Sequence, residues 1–475
     1  MKFFFQHKNT FIRTFDEFGY ILNQKSGKEF RFNSIGAVFL TQIEREIKRI
    51  DDSVNEMLNI LVDVDFVTLN TDFKEFLIFL EIYGLVVLGN SKREIIEKSR
   101  SIEDCPTSSN NNDQNKSVEF EEVSSEESDS NVFKFDPISF NMHVELTNKC
   151  NERCMHCYIP SDERLKGNFL EFNIIKKVLD EISFLKLLNV TFSGGEILLH
   201  PQLDEILKYS RKKDFIITLF SNLINLQDIH IELFKEINPK IIQVTLYSIF
   251  EKEHDFITKV KGSCLKTKKS IDKLIANKIQ VGIACPILKY NYKSYIDIVR
   301  YAHEKNIKLT TDYEIIAQSN FNKRNLDTSL NLSEFESHLK DVLYVNQEYG
   351  TSSMKDKIDS VKVKNVESSL CGAGFDRLTL TSQGNYIPCP AWKKFKTGNA
   401  KEFQFKDIIY NSENIKYLRS IKKSAFTKCI NCDVFDYCNI CMERNYNESN
   451  GDIFKINEEY CKFVVSYKRI LFNNK

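Results

Sequence analysis

Six short apolar runs, at 141–146, 189–192, 215–220, 241–246, 280–286 and 308–312, are separated by segments in which apolar residues recur at helical spacing, as at 171–188, 202–212, 266–277 and 292–304. Strands that alternate with helices are joined by right-handed crossovers, so they lie parallel and are covered by helices. The middle of this chain is therefore α/β. An open sheet and a closed or partial barrel satisfy the pattern equally. In a barrel the chemistry belongs at the C-terminal ends of the strands.

The 475 residues exceed one ordinary domain. Ahead of the α/β region, short strands at 10–13, 20–23 and 30–32, helical patterns at 35–47, 54–61 and 72–83, and a closing strand at 84–88 make a winged-helix-like α+β module over 1–98. No helix there carries a strong basic stripe, which argues against a DNA reader. Residues 99–135 are polar and acidic, too poor in apolar surface to fold, and are expected to be a disordered linker. Beyond about 366 the alternation stops, and this tail is expected to be held by metal more than by an apolar core.

Charge excludes some partners. Lys plus Arg and Asp plus Glu each total 66, so no net field draws the chain to nucleic acid or an anionic membrane. The apolar start is too short for a signal-peptide core and no run of about 18 apolar residues occurs, so a soluble cytoplasmic protein is expected. In that compartment the 13 cysteines point to metal or redox chemistry ahead of disulfides.

Their spacing supports this. Cys150, Cys154 and Cys157 form CX3CX2C directly after the first strand, a triple that chance yields in about one such chain in a hundred. Soft thiolates select iron-sulfur or zinc, and three of them leave a cubane with one uncovered iron. After the second strand comes Ser193-Gly194-Gly195-Glu196, whose glycines permit close backbone approach and whose carboxylate can accept from an ammonium. Near the end lie Cys371 and Cys389, then Cys429, Cys432, Cys438 and Cys441, then Cys461.

With CX3CX2C after strand one and Gly194-Gly195-Glu196 after strand two, the chain resembles the radical S-adenosylmethionine (SAM) superfamily. The resemblance implies a partial (β/α)6 barrel over 136–345, a [4Fe-4S] cluster on Cys150, Cys154 and Cys157 that chelates SAM, and reductive cleavage to a 5'-deoxyadenosyl radical. It also implies SAM contacts from Gly194, Gly195, Glu196, Asn222 and Ser248, and an external electron donor such as flavodoxin or ferredoxin. His143 and His156 are expected to pack rather than ligate.

The C-terminal cysteines over 346–475 resemble the SPASM extension, which implies two auxiliary iron-sulfur clusters. By that pattern Cys429, Cys432, Cys438 and Cys461 hold the outer cluster, and Cys371, Cys389 and Cys441 the inner one. The chain departs from the pattern in having CX2CX5CX2C in place of CX2CX5CX3C. It also has no cysteine between Cys371 and Cys389. The fourth inner position is left to a substrate thiolate, Cys264, a backbone group or water. Cys105 and Cys285 are assigned no role. A pair of structural zinc sites is the plain alternative for the tail.

The first module, with Asn33-Ser34-Ile35-Gly36-Ala37 opening a helix and Tyr83-Gly84-Leu85-Val86 closing, resembles the PqqD-like precursor-peptide recognition domain. Such a domain binds a leader peptide as an added strand. Together the three blocks resemble sactipeptide and ranthipeptide thioether synthases, the group to which the subtilosin maturase belongs. This implies hydrogen abstraction from a peptide carbon and its capture by a cysteine sulfur. Carbon-carbon crosslinking, epimerisation and formylglycine formation are the other outcomes within the superfamily. A zinc-stabilised peptide-binding protein is the outcome outside it.

Overall fold

A computed structural model describes residues 1–101, 134–349 and 365–473. Cys105 and the greater part of the expected linker, 102–133, lie outside the described residues. The chain forms two compact units, Met1–Val132 and Phe133–Lys475.

The first unit holds six strands: β1 (Phe3–Gln6), β2 (Thr10–Thr14), β3 (Gly19–Asn23), β4 (Glu29–Phe32), β5 (Lys48–Arg49) and β6 (Val86–Gly89). They make two antiparallel three-stranded sheets, ordered β5-β1-β6 and β2-β3-β4. Helices Ser34–Thr41, Ile50–Met57 and Phe66–Ile82 pack on them through Phe4, Phe32, Phe39, Phe73 and Phe76. Local signals explain the helix starts. Asn33 accepts from the Gly36 N–H at 3.0 Å, and Asp65 accepts from Val67 N–H at 2.8 Å and Thr68 N–H at 3.0 Å. Gly36 is required for packing as well, because a Cβ there would stand 2.4 Å from Phe32 Cβ.

In the second unit the six expected strands are β7 (Asn141–Thr147), β8 (Asn189–Gly194), β9 (Ile216–Ser221), β10 (Ile241–Thr245), β11 (Val281–Pro286) and β12 (Lys308–Asp312), paired in parallel in sequential order. Helices Phe172–Phe184, Leu203–Lys212, Ser263–Ala276 and Tyr295–Glu304 fill the expected crossovers, joined by Asp228–Ile237 and Glu251–Thr258. This is the α/β partial barrel. Met142, Val144 and Leu146 of β7 join the core beneath the helices, so by strand alternation His143, Glu145 and Thr147 face the other side.

The tail departs from expectation. Three further strands, β13 (Arg377–Leu380), β14 (Asn385–Ile387) and β15 (Gly398–Asn399), extend the same sheet, with β13 parallel to β7. Leu378, Leu380, Tyr386, Phe405 and Ile408 belong to the barrel's own apolar core. This part of the tail is held by apolar packing after all. A separate small cluster around Trp392, Leu418, Phe426 and Met442 lies among the cysteines.

Candidate functional site

The first cysteine loop leaves the C-terminal end of β7, where Lys149 is followed by Cys150. It is pinned from several sides. Cys150 N–H donates to Arg164 O at 3.2 Å, Arg164 Nη1 donates to Cys154 O at 3.2 Å, and Arg153 and Met155 N–H donate to Thr258 and Ile257 O. Asn325 Nδ2 holds His156 O at 3.0 Å. The three thiols share one neighbourhood, since Cys157 raises the pKa of Cys150 and both raise that of Cys154. Burial above all pushes Cys150 up to about 12 and raises Cys154 well above its ordinary value. Such thiols stay neutral until a cation takes their protons' place.

Gly194, Gly195 and Glu196 do something that the motif alone does not reveal. Gly194, at φ +143°, would place a Cβ 2.1 Å from Thr147 O, and Gly195 would place one 2.0 Å from Lys149 O. Gly195 N–H donates to Thr147 O at 2.7 Å, and Glu196 N–H to Lys149 O at 2.8 Å. What the glycines approach is the backbone that launches the cysteine loop. The Glu196 carboxylate, 0 % exposed, accepts from Ser221 Oγ at 2.6 Å, Leu198 N–H at 2.9 Å and Asn222 N–H at 2.7 Å. These three donors tie the ends of β8 and β9 together through Glu196.

Asn222 completes this linkage. Its Nδ2 donates to Asn151 Oδ1 at 2.7 Å and to Cys150 Sγ at 3.9 Å. Ser248 is elsewhere: it is buried after β10, accepting from Phe250 N–H at 3.1 Å and lying 3.4 Å from Ser294 Oγ. His143 meets Ser193 and Phe220, and the His156 ring stands edge-on to Tyr247 at 5.3 Å. Cys264 and Cys285 turn their thiols to the Ser248 and Tyr247 carbonyls.

Two further cysteine groups occur in the tail. Cys371, Cys389 and Cys441 influence one another or the same carboxylate, Glu443, and Cys441 Sγ accepts from Arg444 N–H at 3.4 Å. Cys429, Cys432 and Cys461 form the other, with Cys429 raised by both partners. No described cysteine is in a disulfide. Among the described residues no three His, Cys, Asp or Glu side chains converge tightly enough for a single metal ion. Cubane ligands sit on separate irons and stand farther apart than that. Grouped, unbridged thiols with soft donor chemistry fit iron-sulfur clusters.

Between the first loop and the tail runs a buried polar link missed from sequence. Glu145 on β7, 0 % exposed, is ion-paired with Lys393 at 3.1 Å and accepts from Tyr158 OH at 3.1 Å. Tyr158 follows Cys157, and Lys393 lies four residues past Cys389. A second link joins Arg444 to Glu314, which also accepts from Tyr460 OH, beside Cys461. The guanidinium lies 3.8 Å above the Tyr460 ring. Neither pair leaves a pattern in the sequence, because its partners are far apart along the chain.

Comparison with known proteins accords with this geometry. Residues 144–328 match the radical SAM superfamily, and residues 371–433 match SPASM, an iron-sulfur cluster-binding domain. It is a radical SAM enzyme with a SPASM domain. Its cofactors are therefore iron-sulfur clusters and SAM. The enzyme is 27% identical over 318 residues, 66% of this chain and 69% of the relative, to the antilisterial bacteriocin subtilosin biosynthesis protein AlbA of Bacillus subtilis. It is 25% identical to the GTP 3',8-cyclase of Clostridium botulinum over 60% of this chain and 89% of that one. The fold corresponds to Streptococcus suis SuiB bound to its precursor peptide SuiA, with a TM-score of 0.61 at 13% identity, over 96% of this chain and 99% of that one. Among the described residues of the enzyme no helix is long and apolar enough to cross a membrane.

Proposed function

We propose that the enzyme matures a ribosomally synthesised peptide by forming Cys-sulfur-to-carbon thioether crosslinks. The observation that carries this reading is the pairing of a site-differentiated cysteine triple with a second, three-cysteine set, joined through Tyr158, Glu145 and Lys393. The relationship to a subtilosin biosynthesis protein supports a peptide substrate. So does the correspondence with peptide-bound SuiB, which spans almost the whole chain.

In this reading Cys150, Cys154 and Cys157 hold the first cluster, whose uncovered iron takes SAM. Once bound, this pair supplies a 5'-deoxyadenosyl radical for hydrogen abstraction. Gly194, Gly195, Glu196 and Asn222 hold the loop in place, and burial keeps water from it. Cys371, Cys389 and Cys441 hold the inner auxiliary cluster, and Cys429, Cys432, Cys438 and Cys461 the outer one. The module over 1–98 takes the leader of the precursor on a sheet edge, and an external flavodoxin or ferredoxin supplies electrons.

Anaerobically reconstituted enzyme, a reductant, SAM and a Cys-bearing precursor test the reading. The expected result is 5'-deoxyadenosine formed in step with the disappearance of alkylatable precursor thiols. Retention of zinc with no SAM cleavage would overturn it.

A further inference from the structure

The three-thiol inner set faces one carboxylate. Glu443 stands two residues after Cys441, in the first turn of the helix Met442–Glu448. Its carboxylate lies close to the Cys389 thiol and the Ala391 backbone, and its charge is also felt at Cys371 and Cys441. Glu443 is only 6 % exposed, and its Oε1 is buried without a hydrogen-bond partner.

The nearby cations are ion-paired elsewhere, although the Arg444 charge also favours the ionised form of Glu443. Lys393 is ion-paired with Glu145, and Arg444 with Glu314. A carboxylate oxygen buried beside a thiol cluster without a hydrogen bond is costly unless a metal ion takes that place. Iron accepts oxygen donors beside thiolates, and three cysteines leave one iron of a cubane uncovered.

We propose that the Glu443 carboxylate is the fourth protein ligand of the inner cluster. The inference rests on Cys371, Cys389 and Cys441 being ligands of one cluster. It makes the inner site a Cys3Glu site, closed at rest, in place of one filled by Cys264, whose thiol points to the Ser248 carbonyl.

The test uses full-length protein with Cys150, Cys154 and Cys157 all changed to Ala, so that only the SPASM clusters are loaded. Iron per chain and the EPR spectrum of oxidised and reduced protein are compared for this parent, Glu443→Ala, Glu443→Cys and Cys389→Ala. Glu443→Ala is expected to lose one iron per chain and to give a three-iron signal when oxidised, with the outer-cluster signal unchanged. Glu443→Cys is expected to restore the iron with a shifted spectrum.

If Glu443→Ala matches the parent in iron and spectrum while Cys389→Ala alters both, the Glu443 assignment fails and the cysteine grouping stands. If Cys389→Ala also matches the parent, the grouping itself fails and takes the inference with it. Loss of the outer signal in both variants at position 443 would mean that Glu443 holds the fold and not an iron, which also overturns the assignment.

Discussion

At the residue scale, Gly194, Gly195 and Glu196 fix the backbone that leads into Cys150. Cys150→Ala is expected to abolish SAM cleavage and lower iron by one cluster while the auxiliary clusters remain, as iron analysis and 5'-deoxyadenosine formation would show. Gly195→Ala forces Lys149 O, 2.0 Å from the new Cβ, to move. Overpacking of that kind costs about 1–3 kcal/mol, and the strain here falls on the residue before Cys150. A lowered melting temperature together with a depleted first cluster would confirm it. Lys393→Met strands Glu145 as a buried, uncompensated charge, which costs about 3–5 kcal/mol. Adding Glu145→Gln should recover much of that loss in urea unfolding while keeping an acceptor for Tyr158 OH. The cysteines and Gly194-Gly195-Glu196 were legible because their spacing is local. Glu145 with Lys393 was not, since 248 positions separate the partners. Glu443 belongs to no motif, so nothing in its sequence setting marks it as a ligand.

At the element scale, the six barrel strands were legible because each is a compact apolar run. Helix Glu251–Thr258 was not, because it buries His254 and Thr258 beside Ile257, and buried polar residues leave no apolar period. Strand β13 was hidden for another reason: its place beside β7 depends on a pairing across more than 200 residues. Strand β1 likewise read only as an apolar start, its partner β6 lying at the other end of the unit. Burial has a further consequence for these elements. His254, whose Nδ1 accepts from Tyr247 N–H, and His338, packed on Tyr295, are both held down to about 4 by burial. Both are neutral when folded, so their contribution is fully present above pH 6.5. It is lost as pH falls from there toward 4, because only the unfolded chain takes up protons, at about 1.4 kcal/mol per pH unit for each histidine. Urea unfolding between pH 7.5 and 5.5 should show that decline, and His338→Phe should make it shallower.

At the scale of the whole molecule, two compact units divide the work that we propose. Removal of residues 1–98 is expected to leave reductive SAM cleavage intact and to abolish precursor modification, as 5'-deoxyadenosine and peptide assays run side by side would show. Equal loss of both activities would place the first unit in cluster or SAM binding instead. The sheet of the second unit is continuous from β12 to β15, so the first cysteine loop, Cys371 and Cys389 all flank strands of one sheet. That continuity gives the Tyr158–Glu145–Lys393 link a rigid base. The mass of the natural precursor after co-expression tests the thioether assignment most directly. The expected product is lighter by two hydrogens per crosslink and resists thiol alkylation. An unchanged mass with an inverted stereocentre, or a two-hydrogen loss that leaves every cysteine open to alkylation, would contradict it.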